Sequence, residues 1–216
     1  MDQTTLRITE IFYSLQGESS TVGLPTVFVR LTGCPLRCHY CDTEYAFYGG
    51  ERQSLSEVLE KVASFQPAHV CVTGGEPLAQ KACLPLLKEL CDQGYQVSLE
   101  TSGALSVEDV DSRVVKVLDL KTPASGEVDR NLYENMAYLQ SGDQVKFVIC
   151  DRQDYEWARL KMDELKLADK VENILFSPSV GQQNATELAD WILADHLQVR
   201  FQLQLHKILW NDEPGR

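Results

Sequence analysis

Three cysteines stand close together in residues 33–43, G-C-P-L-R-C-H-Y-C-D-T. Cys34, Cys38 and Cys41 are separated by three residues and then by two. Three thiolates at this spacing can bind one inorganic centre. Four ligands would close the coordination shell, whereas three leave a position at which a small molecule can bind and react. A structural zinc site with His39 as the fourth ligand is the alternative, although its place directly after Cys38 strains a tetrahedral shell.

A second candidate motif, G-G-E-P at 74–77, follows a short apolar run at 69–73. The run is typical of a strand that is buried on both faces. Two glycines permit positive φ angles, so the motif could be only a tight turn between strand and helix. They also let a ligand approach the backbone closely, and Glu76 adds a hydrogen-bond acceptor. Both interpretations remain open at this point.

Composition limits the classes of function. A chain of 216 residues favours one domain spanning 1–216, and 44% hydrophobic residues suffice for a sizeable core. A net charge of −12 disfavours nucleic-acid binding, because phosphate contacts need lysine and arginine. The N-terminal residues lack the apolar core of a signal peptide, and no apolar run is long enough to span a membrane. We therefore expect a cytoplasmic protein that acts on small molecules.

The remaining cysteines are Cys71, Cys83, Cys91 and Cys150. Seven cysteines are an odd number, and without a secretion signal a disulfide framework is not expected. These four have no mutual ligand spacing, so we expect all of them to be buried as small apolar residues.

The elements that must position the candidate residues alternate along the chain. The pattern predicts strands at 6–14, 26–31, 69–73, 96–101, 114–121, 144–150, 171–176 and 199–206, and helices at 54–65, 80–92, 129–139, 152–166 and 185–195. Such alternation predicts an α/β fold of right-handed βαβ units with a parallel sheet. A full eight-unit barrel needs about 250 residues, so an abbreviated, open partial (β/α) barrel is expected.

Polar residues follow the ends of successive predicted strands. They include Cys34, Thr73, Gly74, Gly75, Glu76, Glu100, Thr101, Ser102, Asp119, Leu120, Lys121, Ser177, Pro178 and His206. The carboxyl ends of parallel strands meet at one edge, which is where the active sites of such folds lie. Arg30, near the end of an apolar strand, either points to solvent or pairs with an anion in a cavity. The arrangement indicates an enzyme.

The C-x3-C-x2-C motif, with Tyr40 before its third cysteine, and the later G-G-E-P resemble the radical S-adenosylmethionine (SAM) superfamily. The resemblance extends to one family, that of 7-carboxy-7-deazaguanine synthase. It rests on S-L-Q-G-E (14–18), C-D-T (41–43), V-T-G-G-E-P (72–77), L-E-T-S-G (99–103), L-D-L-K-T-P (118–123), F-S-P-S (176–179) and Q-L-H-K (204–207). One departure is Ser19, where the family usually has glycine after Glu18.

This resemblance implies a fold with about six core parallel strands and an N-terminal extension. It also implies conversion of 6-carboxy-5,6,7,8-tetrahydropterin to 7-carboxy-7-deazaguanine and ammonia, in the route to queuosine and other 7-deazapurines. The implied cofactors are a [4Fe–4S] cluster, SAM and Mg²⁺. The implied partners are a second copy of the chain and a flavodoxin or ferredoxin reductant, for which we expect docking around Arg37 and His39.

The resemblance also implies roles for individual residues. The cluster ligands are Cys34, Cys38 and Cys41, and the Mg²⁺ ligand is Thr43. SAM is expected to contact Tyr40, Gly74, Gly75, Glu76, Ser102, Asp119, Leu120, Lys121, Ser177 and Pro178. The pterin is expected to contact Leu15, Gln16, Gly17, Glu18, Arg30, Thr73, Glu100, His206 and, through the C-terminal carboxylate, Arg216. Glu18 and His206 join the three cysteines as the expected catalytic residues.

Two other functions share parts of this pattern. A glycyl-radical activating enzyme has the same cysteine motif but a protein substrate, and many such enzymes carry an added ferredoxin-like insert. No second cysteine cluster is seen in this sequence. The second alternative is a non-catalytic iron–sulfur or zinc module.

Overall fold

Nine strands form one sheet in the computed structural model, which describes residues 4–211, 213 and 215. The strands are β1 Thr5–Leu15, β2 Pro25–Leu31, β3 Glu51–Ser54, β4 His69–Gly74, β5 Gln96–Thr101, β6 Val115–Asp119, β7 Gln144–Ile149, β8 Asn173–Pro178 and β9 Arg200–Phe201. The helices are α1 Leu55–Ser64, α2 Cys83–Asp92, α3 Arg152–Glu164, α4 Ala185–Ala194 and α5 Leu205–Trp210. No helix in the described part of the chain has the length and apolar character that crossing a membrane requires.

The sheet is open, with the strand order β3-β1-β2-β4-β5-β6-β7-β8-β9. From β2 to β9 neighbouring strands are parallel, whereas β1 pairs antiparallel with both β2 and β3. Six longer parallel strands, β2 and β4 to β8, thus form the centre, and β9 adds only two residues. The prediction of an open partial barrel with an N-terminal extension is confirmed.

The strands place apolar and polar residues on opposite faces, because side chains alternate along a strand. Val70, Val72 and Leu99 face the layer formed by α1 to α4 and belong to one buried core. The intervening positions, such as Thr73 and Glu100, line a cavity on the other face. The helices therefore fix the sheet from outside, and its inner face is left for chemistry.

Three helix starts behave as the sequence predicts. The Ser54 side chain accepts from the backbone N–H of Glu57, and the Glu57 carboxylate accepts from the backbone N–H of Ser54, which completes the capping box of α1. Asp151 caps α3, and Asn184 caps α4. These caps use side-chain oxygens to accept backbone N–H groups that the helix leaves unpaired.

The predicted helix at 129–139 is wrong. The chain forms two short 3-10 turns there, Val128–Arg130 and Tyr133–Ala137. Asn131 accepts from the backbone N–H of Lys121 at 2.8 Å, and Asn135 donates to the carbonyl of Leu105 at 2.9 Å. These side-chain bonds to distant backbone groups compete with a regular helix.

The predicted strand at 199–206 is also wrong beyond its first residues, and His206 lies in α5 instead of at a strand end. The chain leaves the sheet after β9 because its next groups bond to the loop between β1 and β2. Gln202 accepts from the backbone N–H of Ser19 at 2.8 Å and donates to the carbonyl of Ser19 at 2.7 Å. Leu205 donates its N–H to the carbonyl of Gly17 at 3.0 Å.

The same loop closes the open side of the barrel. It lies beside β2, the first of the parallel strands. From there it forms hydrogen bonds to Gln202, after β9, and to Gln144, the first residue of β7. Ser19, the residue that departs from the family pattern, has a φ of 65°. A left-handed conformation costs a non-glycine residue about 1–2 kcal/mol, which the paired bonds to Gln202 offset.

All seven cysteines are free thiols, as expected. Cys71, Cys83 and Cys150 are buried, which confirms the prediction for these three. Cys91 is only partly buried, so the prediction was wrong for it: it lies near the end of α2, where one side of the helix faces solvent.

Candidate active site

A cavity of about 530 Å³ lies on the inner face of the sheet. It brings together most of the residues singled out from the sequence: Leu15, Gln16, Gly17, Glu18, Arg30, Cys34, Cys38, Tyr40, Cys41, Thr43, Thr73, Gly74, Gly75, Glu100, Ser102, Asp119, Lys121, Ser177, Pro178 and His206. Glu76 and Leu120 do not line it. Arg216 lies outside the described residues, although Gly215, just before it, does line the cavity.

The cysteine loop forms one end of the cavity. Backbone bonds hold it in place, from His39 N–H to the Ser125 carbonyl at 3.0 Å and from Glu76 N–H to the Gly33 carbonyl at 2.8 Å. Burial raises the pKa of the Cys38 thiol to about 11, against the effect of the Lys121 ammonium. Such thiols become thiolates when a cationic centre binds to them.

The thiols of Cys34, Cys38 and Cys41 all line this end of the cavity. The described residues contain no group of three or more His, Cys, Asp or Glu side chains placed to hold a metal ion. His39 instead packs against Gly126, where an added Cβ would lie 2.9 Å from the ring. Three thiols around one end of a cavity fit a larger iron–sulfur cluster with one open position.

The glycine motif faces this loop through its backbone. A Cβ on Gly75 would lie 2.4 Å from the carbonyl oxygen of Gly33 and 2.8 Å from the Cβ of Cys34, so only glycine fits. The Glu76 carboxylate points the other way and is fully buried. It accepts bonds from the N–H groups of Leu78 at 2.9 Å and Ser102 at 2.7 Å. Glu76 thus orders the end of β5 and holds Ser102 at the wall of the cavity.

Two buried polar atoms beside the cysteine loop have no hydrogen-bond partner among the described residues, the Tyr40 hydroxyl and Oδ1 of Asp119. The other oxygen of Asp119 accepts from Lys121 Nζ at 2.9 Å, and that ammonium lies 5.8 Å from the Tyr40 ring centroid. Buried polar groups are normally paired, so these atoms fit a polar ligand in the cavity. They lie where the sequence motifs predict SAM.

Glu100 occupies the centre of the inner face. One oxygen accepts from the Thr73 hydroxyl at 2.9 Å, and the other accepts from the Gln16 side chain at 3.4 Å. The three residues come from β5, β4 and the loop after β1, which confirms that the fold brings them together. A carboxylate oriented in this way can accept from two adjacent N–H groups of a ligand.

Arg30 lies in the same wall of the cavity. Its Nε donates to Glu10 at 2.7 Å, and the Tyr45 hydroxyl donates to the same oxygen at 2.8 Å. Although burial lowers the pKa of the Arg30 guanidinium, Tyr45 and Glu10 raise it above its usual value. Because Glu10 takes the Nε side, the terminal nitrogens are the part of Arg30 that suits a carboxylate ligand.

Lys146 is the most consequential residue that the sequence reasoning missed. It projects from β7 into the cavity, and its ammonium pairs with the Glu18 carboxylate. The other oxygen of Glu18 accepts from Gln204 at 2.8 Å. Burial raises the pKa of Glu18, but Lys146 and Gln204 together hold it below its usual value. The signal was available: a charge within the apolar run at 144–150, which is the pattern that singled out Arg30.

Thr43 and His206 are two further predicted site residues that line the cavity. Thr43 donates to Asp42 at 2.8 Å, and Asp42 pairs with Lys207 at 2.8 Å, so the cysteine loop and α5 meet at the mouth of the cavity. His206 packs directly on Gly17, where an added Cβ would lie 2.4 Å from Nδ1. Gly17 therefore lets α5 approach the loop that carries Glu18.

Comparison with known proteins agrees with this geometry. Residues 28–116 match the radical SAM superfamily. A 7-carboxy-7-deazaguanine synthase of Koribacter versatilis is 44% identical, over 96% of this chain and 98% of that protein. One of Chlorobaculum tepidum is 42% identical, over 98% and 97%. The crystal structure of QueE from Escherichia coli aligns with a TM-score of 0.74 at 25% identity, covering 94% of this chain and 95% of that one.

Identity at this level over nearly the whole length argues against the two alternatives considered above, a glycyl-radical activating enzyme and a non-catalytic metal module. It also implies a [4Fe–4S] cluster and SAM, which the three thiols and the unpartnered atoms of Tyr40 and Asp119 can accommodate. From sequence, fold and site together, the chain is an enzyme that belongs to the 7-carboxy-7-deazaguanine synthase family of the radical SAM superfamily.

Proposed function

We propose that this enzyme converts 6-carboxy-5,6,7,8-tetrahydropterin to 7-carboxy-7-deazaguanine with release of ammonia. One observation carries the proposal: Glu100 and Arg30 line the same cavity as the cysteine loop. A pterin presents adjacent N–H donors on its aminopyrimidinone edge, which a carboxylate can accept. Its carboxylate needs a cation, and a guanidinium binds it through two parallel bonds.

The substrate contacts follow from the bonds already present. Gln16 and Thr73 hold the Glu100 carboxylate, so its orientation is set before the substrate enters. Leu15, Gly17 and His206 complete the pterin side of the proposal, with Arg216 as a further proposed contact. A ligand without matching N–H groups would leave buried acceptors unpaired, which gives strong discrimination.

The cofactors occupy the other end in this proposal. Cys34, Cys38 and Cys41 hold the [4Fe–4S] cluster; when bound, cluster and SAM supply the one-electron chemistry. The SAM contacts are those expected from the sequence, except that the Leu120 side chain is buried in the core and Glu76 acts through Ser102. Thr43 binds Mg²⁺, which usually has few protein ligands and completes its octahedron with water and substrate oxygens.

The proposal includes the setting of the enzyme. Residues 1–216 act as one radical SAM domain in a cytoplasmic homodimer. A flavodoxin or ferredoxin reduces the cluster at the loop of Arg37 and His39. Arg37 is exposed and lies 4.2 Å from the Phe47 ring centroid, so an acidic reductant meets a positive, partly aromatic surface there.

The test is anaerobic reconstitution followed by turnover. Reduced enzyme with SAM, Mg²⁺ and carboxytetrahydropterin should form a product that is lighter by one ammonia, detected by mass spectrometry, with ammonia released in equal amount. Cys34→Ala is the control, since it removes a cluster ligand and should form no product. A fully loaded enzyme that cleaves SAM but leaves the pterin unchanged would exclude this substrate.

A further inference from the structure

Glu18 and Lys146 come from distant parts of the chain and meet inside the cavity. Glu18 lies in the loop after β1, and Lys146 lies in the middle of β7. We propose that they form the acid–base pair that releases ammonia, with Lys146 as the acid and Glu18 as the base. This inference rests on the proposed function and adds a residue, Lys146, together with a division of roles.

Position distinguishes this pair from two other lysine–carboxylate pairs that line the cavity. Lys121 and Asp119 lie beside Tyr40 in the cysteine loop. The pair of Lys207 with Asp42 lies at the mouth, where the Asp42 side chain is 43% exposed. These two pairs flank the cofactor end and the entrance of the cavity, respectively.

The third pair lies beside the residues proposed to read the pterin. The backbone N–H of Glu18 donates to Gln16 at 3.1 Å, and Gln16 in turn donates to Glu100. Burial lowers the pKa of the Lys146 ammonium, but Glu18, Asp119 and Glu100 together raise it, so Lys146 is protonated before the reaction. The side chains of Lys146 and Glu18 are only 13% and 16% exposed. An acid and a base in contact with each other therefore stand next to the substrate-reading carboxylate, shielded from water.

A buried ion pair is by itself weak evidence for a role in stability. Desolvation of two charges often exceeds their attraction, and well-packed apolar residues in their place are often neutral or stabilising. Two further interactions nevertheless hold the Glu18 carboxylate in place. Gln204 donates to its second oxygen, and Gln202 accepts from the backbone N–H of the next residue, Ser19. Such preorganisation is what general acid–base catalysis requires.

The chemistry balances within the pair. Loss of ammonia breaks one C–H bond and one C–N bond and forms a C=C bond. Glu18 takes the proton from carbon, and the C–H electron pair forms the double bond. The C–N electron pair leaves with nitrogen, which takes a proton from Lys146. The proton on Glu18 then passes to the neutral amine of Lys146 across their contact, so the pair is restored without any co-reactant.

Arg30 cannot replace Lys146 in this role, because a guanidinium does not lose its proton in proteins. A lysine ammonium, in contrast, releases a proton when its charge is neutralised within the site. A lysine at this place can therefore act as an acid, whereas an arginine can supply only a positive charge. The variants are chosen to separate these two roles.

The experiment compares Lys146→Met, Lys146→Arg and Glu18→Gln in the reconstituted enzyme with SAM, Mg²⁺ and carboxytetrahydropterin. Substrate consumption and ammonia release are measured separately under single-turnover conditions. We expect ammonia release to fall by about 10²–10⁴-fold in all three variants, the range typical of a lost acid or base. Consumption should fall much less, so an isomer of the substrate that retains its amine should accumulate.

Lys116→Met is the matched control, since Lys116 pairs with Asp143 in another buried ion pair that does not line the cavity. It should lower stability but leave one ammonia released for each pterin consumed. Circular dichroism shows which variants are folded, and the isosteric Glu18→Gln is decisive if Lys146→Met does not fold. Normal ammonia release by Lys146→Arg, or an equal fall of consumption and release, would overturn the acid–base role. Failure of the wild type to consume the pterin would overturn the proposed function itself.

Discussion

Glu76 offers the sharpest test of the structural argument, because its sequence motif and its position indicate different roles. The motif predicts a contact with SAM, but the carboxylate is buried behind the wall of the cavity. It accepts from the Leu78 and Ser102 N–H groups and from the hydroxyls of Thr101 and Ser102. Glu76→Gln keeps the shape of the side chain and removes its charge, so it tests this hydrogen-bonding role of the buried carboxylate with little change in packing.

The expected loss follows from these bonds. A glutamine has one acceptor oxygen and one NH₂ group, and either orientation places that donor against a backbone N–H. Hydroxyls can rotate to accept, but a backbone N–H cannot. Losing one hydrogen bond to a charged acceptor removes about 1.5–3 kcal/mol, and weakening of the remaining ones adds to this. We expect unfolding free energy to fall by about 3 kcal/mol, which for this chain length lowers Tm by about 6–12 °C.

The assay is thermal and urea unfolding of the reconstituted protein, with SAM binding measured on the same samples. Glu60→Gln is the control, since Glu60 is an exposed glutamate on α1. Ser102 lines the cavity, so SAM affinity should also fall when Glu76 no longer holds it. A Glu76→Gln variant as stable as the Glu60→Gln control would refute the structural role of Glu76. Weakened SAM binding without lost stability would favour direct contact between Glu76 and SAM.

Four further predictions concern the site. Cys34→Ala should lose both the visible iron–sulfur absorbance and SAM cleavage, and retained cleavage would exclude the cluster assignment. Thr43→Ala should raise the Mg²⁺ concentration needed for turnover more than it changes SAM affinity, and equal effects would contradict a metal ligand. Gly17→Ala places a Cβ 2.4 Å from His206 Nδ1, so kcat should fall by at least about tenfold, unless α5 shifts at no cost. The pKa of Glu18 is lowered in the folded protein, so ionised Glu18 contributes to stability above about pH 4.3, and this contribution is lost as the pH falls through the folded-state pKa. In Glu18→Gln the free energy of unfolding should therefore fall less steeply at acid pH.

Much of the site could be anticipated because strands obey a period of two. Once β4 and β5 are placed, Thr73 and Glu100 must share a face, and parallel pairing brings them side by side. The cysteine loop follows β2 directly, so its place at the carboxyl edge is also determined by the strand. Local patterns of this kind can be recognised in a single sequence.

The missed features depend on bonds between distant residues. Nothing near His206 in sequence indicates that the chain leaves the sheet after β9, since the cause is the bonding of Gln202 to Ser19. The 3-10 turns near 129–139 form because Asn135 bonds to a loop about 30 residues away. Glu76 turns outward because buried donors at the end of β5 surround it. Propensity scales carry none of this, because each case is decided by tertiary hydrogen bonds.

The open sheet and the loop that closes it account for how two reactants can share a single cavity. Asp119 and Lys146 are direct partners in the register of β6 and β7. Under the proposed assignment, Asp119 belongs to the cofactor end of the cavity and Lys146 to the pterin end. SAM and the pterin would therefore meet above β6 and β7. Under the same assignment, the closing loop places Glu18 at that meeting point. A complete barrel would have filled this space with side chains, whereas an abbreviated barrel leaves it free and needs the loop between β1 and β2 as its wall.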